Sequence, residues 1–358
     1  MTYLLRVSLD IEESHPGKSL RFGKAVQAIK VFNKNGAKVV ILAHLGRPDG
    51  YDKKLSLKRF QKPLEASLKK KIVFLTGQDL ASDSLSVKAS YPGAVFLMEN
   101  LRFNPGETTN DASFAKTLAG LGDKYINDDF ATAHRENASN VGITKFIEGS
   151  VGPSLSAEIN NLNLVLKKTK KPFILIIGGA KVSDKIAVIK NLIAKTDYVI
   201  LGGGVANTFI KAGGREIGNS IFEPHMIPVA KELIKNKKVL IPLDFVRNRN
   251  KITDIGPETA RYFTSVISQA RTIIWGGPMG LFEDKRYSGG TKAVWRAILA
   301  NHRASVVVGG GETTASLKLV QKGWKTSKNI FLSTGGGAML DYLGGDNLPA
   351  LKALKIQK

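Results

Sequence analysis

Five stretches in the second half of the chain share one plan, a short apolar run that ends in glycines. Phe173–Ile177 runs into Gly178-Gly179, Tyr198–Leu201 into Gly202-Gly203-Gly204, and Thr272–Trp275 into Gly276-Gly277-Pro278. Ser305–Val308 runs into Gly309-Gly310-Gly311, and Ile330–Leu332 into Ser333-Thr334-Gly335-Gly336-Gly337. Continuous apolar runs of this length, each followed by helical sequence, read as strands of a parallel sheet buried on both faces. Their glycine loops then lie along one edge of the sheet, the edge where open α/β sheets bind ligands. Glycine lets backbone amides approach phosphate closely, so the repeat predicts a nucleotide or polyphosphate site. In the first of these loops Ser183 and Asp184 are placed to open a helix with Lys185 on its first turn. Free amides and the helix dipole would then face one spot. Lys181 and Lys185 lie four apart and reach one ligand if that helix starts early. Taken alone, the stretch also reads as an ordinary βα turn with solvated lysines.

The first half is α/β as well. Tyr3–Leu9 reads as a strand, Leu20–Asn33 as a helix and Lys38–Ala43 as a strand, a βαβ unit with a right-handed crossover. Leu55–Leu68 is helical; Ile72–Leu75 and Ala94–Met98 are strands. Asp111–Leu121 is a helix capped by Asn110 or Asp111, and Tyr125–Asn127 is a short strand. Asp128 to Pro153 is irregular, and a helix over Leu155–Lys168 follows, where the domain change is placed. The strand ends of this half carry cations instead of glycine runs: His44 and Arg47, Arg102, and His134 with Arg135, while Arg21 begins the first helix. The guanidinium fork binds phosphate and carboxylate bidentately, so the set predicts a pocket for a small, highly anionic molecule.

The net charge of +23 agrees with anionic ligands. Much of it sits in pairs such as Lys167-Lys168 and Lys237-Lys238 at helix ends and loops, without the interleaved aromatics of a single-strand nucleic-acid platform. Nucleic acid is therefore not the expected partner. The absence of cysteine excludes disulfides and thiolate metal sites, and the five histidines lack metal-ligand spacing. No apolar run approaches a membrane span and no signal peptide is visible; a cytoplasmic protein with no membrane partner is expected. Pro16-Gly17-Lys18-Ser19 lacks the upstream glycine of a Walker A motif. The dinucleotide glycine fingerprint, the protein-kinase signatures and a Gly-x-Ser-x-Gly elbow are also absent. A nucleotide on one domain and a small phosphorylated acid on the other implies phosphoryl transfer between them, with water excluded by a hinge.

Gly178-Gly-Ala-Lys-Val-Ser-Asp-Lys-Ile186, His44-Leu-Gly-Arg-Pro48, Glu99-Asn-Leu-Arg-Phe103, Phe130-Ala-Thr-Ala-His-Arg135, Gly277-Pro-Met-Gly280 and Ser333-Thr-Gly-Gly-Gly337, in this order, resemble the phosphoglycerate kinase family. The resemblance implies two Rossmann-like three-layer (αβα) domains whose parallel sheets face each other across a hinged cleft. Residues 1–152 would bind triose phosphate and 153–345 nucleotide, joined by the helix 155–168, with the tail 346–358 packing back on the first domain. The implied activity is a glycolytic phosphotransferase reaction with a carboxyl acceptor: reversible transfer of the acyl phosphate of 1,3-bisphosphoglycerate to MgADP, by a monomer.

By motif position, Ser8, Asp10, Arg21, His44, Leu45, Gly46, Arg47, Arg102 and Arg135 would hold the triose phosphate. Arg21, Lys181 and Lys185 would be catalytic. Gly179, Ala180, Lys181, Lys185, Gly204, Gly256, Glu283, Gly310, Gly311, Glu312 and Thr313 would bind nucleotide. Asp184 and Glu312 would serve Mg²⁺ through waters or nucleotide phosphates. Strand one reads Arg6-Val-Ser-Leu-Asp-Ile-Glu12 where the family has Arg-Val-Asp-Phe-Asn-Val-Pro, so Ser8 replaces a carboxylate and Asp10 an amide. Asp10 can accept from a hydroxyl but would repel a carboxylate. Gly276 replaces an asparagine and Glu312 an aspartate, and the stretch between Asp244 and Asp254 is short by about a strand and a loop. The competing readings are a diverged relative that binds an anion, nucleotide or nucleic acid without catalysis, and a kinase for a related acyl phosphate.

Overall fold

The computed structural model describes residues 1–11, 17, 19–323 and 326–356. Glu12 of the strand-one motif, Pro16 and Lys18 of the Pro-Gly-Lys-Ser fragment and the last two residues of the tail lie outside them. The chain divides into two compact units, 1–159 with 347–358, and 160–346. The division falls inside the helix Pro153–Lys167, later than a boundary at 152. No helix among the described residues is long and apolar enough to cross a membrane.

The N-terminal unit holds a parallel sheet of β1 (Thr2–Arg6), β2 (Lys38–Leu42), β3 (Ile72–Leu75), β4 (Val95–Met98), β5 (Lys124–Asn127) and β6 (Gly149–Val151). Their spatial order is β3-β4-β2-β1-β5-β6. The order reverses at β1, so right-handed crossovers put helices on both faces and a crevice opens between the carboxyl ends of β1 and β5. Register sets Arg6 opposite Leu42 on one side and Asn127 on the other. Leu5, Ile41, Leu97 and Ile126 from four adjacent strands share one buried core with Phe22 and Ile29 of the helix Leu20–Phe32. The segment 347–356 belongs to this unit: Ala350 N–H donates to the Ala133 carbonyl at 3.0 Å, and Leu348 and Leu351 are buried.

The C-terminal unit has β7 (Phe173–Ile177), β8 (Tyr198–Leu201), β9 (Val239–Leu240), the antiparallel hairpin β10 (Phe245–Asn248) and β11 (Lys251–Ile255), β12 (Thr272–Gly276), β13 (Ser305–Gly309) and β14 (Ile330–Leu332). Its parallel sheet runs β14-β13-β12-β7-β8-β9, so the five glycine-terminated strands are adjacent. β7 and β12 are buried at every residue, which is why both read as unbroken apolar runs. The reversal here falls between β7 and β12.

Several elements differ from the sequence reading. Leu55–Leu68 is not one helix. Two 3₁₀ turns, Lys53–Leu55 and Leu57–Phe60, precede a helix over Gln61–Leu68. The Glu99 carboxylate accepts from Ser56 Oγ at 2.6 Å and from Leu57 N–H at 2.8 Å, and Ser56 is extended, which breaks the helix. The helix Leu80–Ala89 was not read because it buries only Val87 and so has no apolar period. β6 lies inside the stretch read as irregular, β9 is two residues long, and the hairpin β10–β11 occupies the shortened stretch after Asp244. Asp111, not Asn110, caps the helix Ala112–Ala119: its side chain accepts from Phe114 N–H, while Asn110 is left-handed at φ +56°.

Asp128 anchors the start of the helix Pro153–Lys167. Its Oδ1 accepts from Ser154 N–H at 2.5 Å and Leu155 N–H at 3.2 Å. Gly152 makes room for it, since a Cβ there would collide with the Asp128 carboxylate. Burial pushes the Asp128 carboxyl up to about 6, against the helix amides that hold it down. A carboxyl whose folded pKa exceeds its unfolded value favours the folded state below the unfolded value, and that contribution is lost as pH rises through about 6. Asp128→Asn keeps an acceptor for both amides and removes the titration. Relative to this variant, the wild type is expected to lose about 2 kcal/mol between pH 4 and pH 7. Urea unfolding of both proteins across that range checks it; a pH-independent difference would contradict the assignment.

Candidate functional site

At the β1/β5 crevice the sequence places an arginine inside an apolar strand, and the fold buries it: Arg6 is 1% exposed. Its Nη1 donates to the Val7 carbonyl at 2.7 Å and pairs with Asp129 Oδ2 at 2.9 Å. Nε donates to Ser139 Oγ at 3.0 Å, and Nη2 lies 2.8 Å from His44 Nδ1. An arginine is always a donor, so His44 Nδ1 is the acceptor and the proton sits on Nε2. Burial, with the Arg6 and Arg102 charges, pushes the His44 pKa down. His44 is therefore neutral, which corrects its reading as one of the pocket cations.

His44 Nε2 faces Asp10 Oδ2 at 3.6 Å, and Asp10 Oδ1 accepts from Gly46 N–H at 2.9 Å. Burial works to raise the Asp10 pKa, but the His44 and Gly46 hydrogen bonds and the Arg21 charge hold it below the usual carboxylate range. Both oxygens of Asp10 thus face partners inside the protein, which tempers its expected repulsion of a substrate carboxylate. Arg21 Nη1 donates to the Asp10 carbonyl at 2.7 Å, and Arg102 Nη1 donates to the Gly46 carbonyl at 2.5 Å. Burial, with the Arg6 and Arg135 charges, pushes the Arg102 pKa down. Leu45 is buried and its N–H donates to Asn100 Oδ1 at 3.2 Å, while Arg47 is exposed and makes no hydrogen bond among the described residues. Ser8 Oγ is buried and has no hydrogen-bond partner among the described residues. A cavity of about 490 Å³ elsewhere in this unit, between Tyr51, Phe74 and Phe103, is lined by none of the candidate residues.

In the C-terminal unit the glycine loops at the β7/β12 reversal pack backbone on backbone. Gly179 N–H donates to the Pro278 carbonyl and Gly203 N–H to the Met279 carbonyl, both at 2.9 Å. A Cβ on Gly178 or Gly277 would strike the other loop's carbonyl, and Gly277 has φ +94°. These amides are thus spent between loops and are not free for phosphate. Gly310 and Gly311, with Gly179, Gly276, Gly277, Lys185, Glu312 and Thr313 among others, line a cavity of about 150 Å³. Thr313 Oγ1 accepts from Gly277 N–H at 2.7 Å and ties this wall together. A neighbouring cavity of about 300 Å³ is lined by Gly179, Ala180, Gly204, Glu283 and Glu312, with Asn207, Thr253, Asp254 and Leu281, which the sequence did not single out. Gly256 lines neither; it packs against the Asp244 carboxylate that caps the helix Pro257–Gln269.

The helix after the first glycine turn begins at Ile186, so Lys185 flanks it instead of riding its first turn, and Lys181 and Lys185 share no helical face. The cause is Glu223, which accepts from Val182 N–H, from Ser183 N–H at 2.9 Å and from Ser183 Oγ at 2.6 Å, holding 181–184 as a turn. Lys181 is exposed. Burial pushes the Lys185 pKa down against the opposing charges of Asp184, Glu312 and Glu223. No cluster of three or more His, Asp or Glu side chains suited to a metal occurs among the described residues. Two carboxylates, Asp184 and Glu312, within the field of one lysine fit a cation that arrives on nucleotide phosphates.

Gly276 faces the smaller cavity with room to spare. A Cβ there would meet only Met339 Cε at 3.7 Å and Leu340 Cδ2 at 3.8 Å, and its φ is not left-handed. Gly276→Asn is therefore expected to fold and, by adding an amide beside the phosphate cavity, to lower the KM for nucleotide about three- to tenfold. Steady-state kinetics checks it; an unchanged or raised KM would show that the amide does not reach the ligand.

A cluster of arginines at one sheet's carboxyl edge and a glycine-walled, lysine-bearing cavity at another's define a two-substrate enzyme of phosphate chemistry. The family model for phosphoglycerate kinase matches residues 4–346. The phosphoglycerate kinase of Coprothermobacter proteolyticus is 38% identical over 383 residues, covering 99% of this chain and 96% of its own. That of Moorella thermoacetica is 39% identical over 381 residues, covering 98% and 95%. The structure of the Coxiella burnetii enzyme matches with a TM-score of 0.81 at 34% identity, and that of the Pyrococcus horikoshii OT3 enzyme with 0.86 at 30%; each match covers 99% of this chain and 96% of the other. The chain belongs to the phosphoglycerate kinase family.

Proposed function

We propose that this chain catalyses reversible transfer of the acyl phosphate of 1,3-bisphosphoglycerate to ADP, giving 3-phosphoglycerate and ATP. The observation that carries the reading, beside family membership, is that Arg21 and Arg102 are drawn to the two ends of one contact, donating to the Asp10 and Gly46 carbonyls while Gly46 N–H donates to Asp10 Oδ1. Arg21, Arg47, Arg102 and Arg135 hold the triose phosphate; Asp10, Leu45 and Gly46 shape the loop beside it, and Ser8 lies behind it. Nucleotide occupies the cavities walled by Gly179, Ala180, Gly204, Glu283, Gly310, Gly311 and Thr313. Asp184 and Glu312 hold the Mg²⁺ that accompanies it, which when bound neutralises phosphate charge. The transferring group spreads negative charge over three equatorial oxygens, so Arg21, Lys181 and Lys185 act by position and charge, and no general base is needed. The reading carries with it a monomeric, cytoplasmic enzyme. A coupled assay with 3-phosphoglycerate and MgATP tests it. Turnover supports it; nucleotide binding without turnover would favour the binding-only relative.

A further inference from the structure

Arg6 brings a cation to the crevice, but the next acid in strand one, Asp10, is engaged with His44 and Gly46; position 8 holds Ser8, whose hydroxyl makes no hydrogen bond among the described residues. The acid comes from the next strand. Asp129, 0% exposed at the end of β5, pairs through Oδ2 with Arg6 and accepts from Thr132 Oγ1 at 2.8 Å. Its other oxygen, Oδ1, is buried and unpartnered. Arg6 Nη1 touches both Asp129 and the Val7 carbonyl, so the guanidinium bridges the carboxylate and the peptide that leads into Ser8.

We propose that Asp129 is a positioning residue for the triose-phosphate pocket, supplying from the end of β5 the carboxylate for Arg6 that position 8 does not carry and acting through Arg6 on His44. The inference rests on the triose-phosphate reading of this pocket. The connection is continuous: Asp129 holds Arg6, Arg6 donates to His44 Nδ1, His44 Nε2 faces Asp10, Asp10 accepts from Gly46 N–H, and the Gly46 carbonyl accepts from Arg102. Asp129 never meets the substrate. It balances a buried guanidinium that would otherwise add to the field on Arg102, and it keeps His44 in the tautomer that orders the loop carrying Arg47.

The test uses the full chain and three variants: Asp129→Asn, Ser8→Asp and the double variant. Asp129→Asn preserves shape and is expected to raise the KM for 3-phosphoglycerate about tenfold, with the KM for ATP little changed. The ¹⁵N signal of His44 Nδ1 should move away from the acceptor position. In the double variant the charge returns on strand one, and both readouts should recover toward wild type. Ser8→Asp alone, with two acids around one arginine, should not improve on wild type. A wild-type KM and an unmoved His44 signal in Asp129→Asn would overturn the inference. So would a double variant no better than Asp129→Asn. If the wild type itself fails to turn over 3-phosphoglycerate, the functional reading has failed instead. The His44 signal of Asp129→Asn then decides this one, a shift upholding the Asp129–Arg6–His44 connection and no shift overturning it.

Discussion

Lys181→Ala is expected to lower kcat by about 10²- to 10⁴-fold while leaving the protein folded, because it removes a charge met mainly in the transition state. The two halves of that expectation have separate grounds. Lys181 is exposed and makes no hydrogen bond or ion pair among the described residues, so its truncation should change stability by no more than about 0.5 kcal/mol. It lies in the turn that Glu223 holds between the β7 glycines and Lys185, next in sequence to Ala180, which lines the larger cavity, and there a flexible ammonium can follow a moving phosphoryl group. Substrate KM values should move far less than kcat. Steady-state kinetics beside a urea titration makes the check. Undiminished turnover in a folded variant would remove Lys181 from the mechanism; lost turnover with lost folding would give it a structural role instead.

Arg6→Met is expected to destabilise the N-terminal unit by about 3–5 kcal/mol, the ordinary cost of leaving one partner of a buried ion pair without the other. Arg6 and Asp129 are 1% and 0% exposed, so solvent screens neither. Methionine fills the stem but leaves Asp129, Ser139 Oγ and His44 Nδ1 without their donor. The loss should appear as a lower urea midpoint for the N-terminal transition, with the C-terminal unit unfolding as in the wild type. A midpoint within experimental scatter of wild type would mean that water or another cation takes Arg6's place. An exposed cation of the pocket behaves oppositely: truncating Arg47 leaves no buried group unpaired.

The fold was legible because its signals are local. Buried parallel strands must be apolar at every position, so β7 and β12 announce themselves, and glycines mark where loops turn over the sheet edge. Elements with little buried apolar surface, such as the helix Leu80–Ala89, the two-residue β9 and the short β6, left no period to read. The site was legible as a set of residue types and less so as chemistry. Arg6 stood out only as a charge within the apolar run Tyr3-Leu-Leu-Arg-Val7, a signal of a buried, paired cation that the sequence reading passed over. Asp129 and Glu223 gave no signal, since what distinguishes them is the remote groups they meet.

The sequence by itself determined the strand runs, the glycine-ended edge, the α/β class and the excess of cations near one set of strand ends. Each of these depends on a residue and its near neighbours. The tertiary structure decided which cations are free to bind an anion. Arg6 is spent on Asp129, Ser139 and His44, the last two 133 and 38 residues away. His44 is neutral because Arg6 faces its Nδ1, and Lys185 stands outside its helix because Glu223 claims the turn before it. Protonation state and the availability of a charge are set by what lies within a few ångströms, and that neighbourhood exists only once distant segments have folded together.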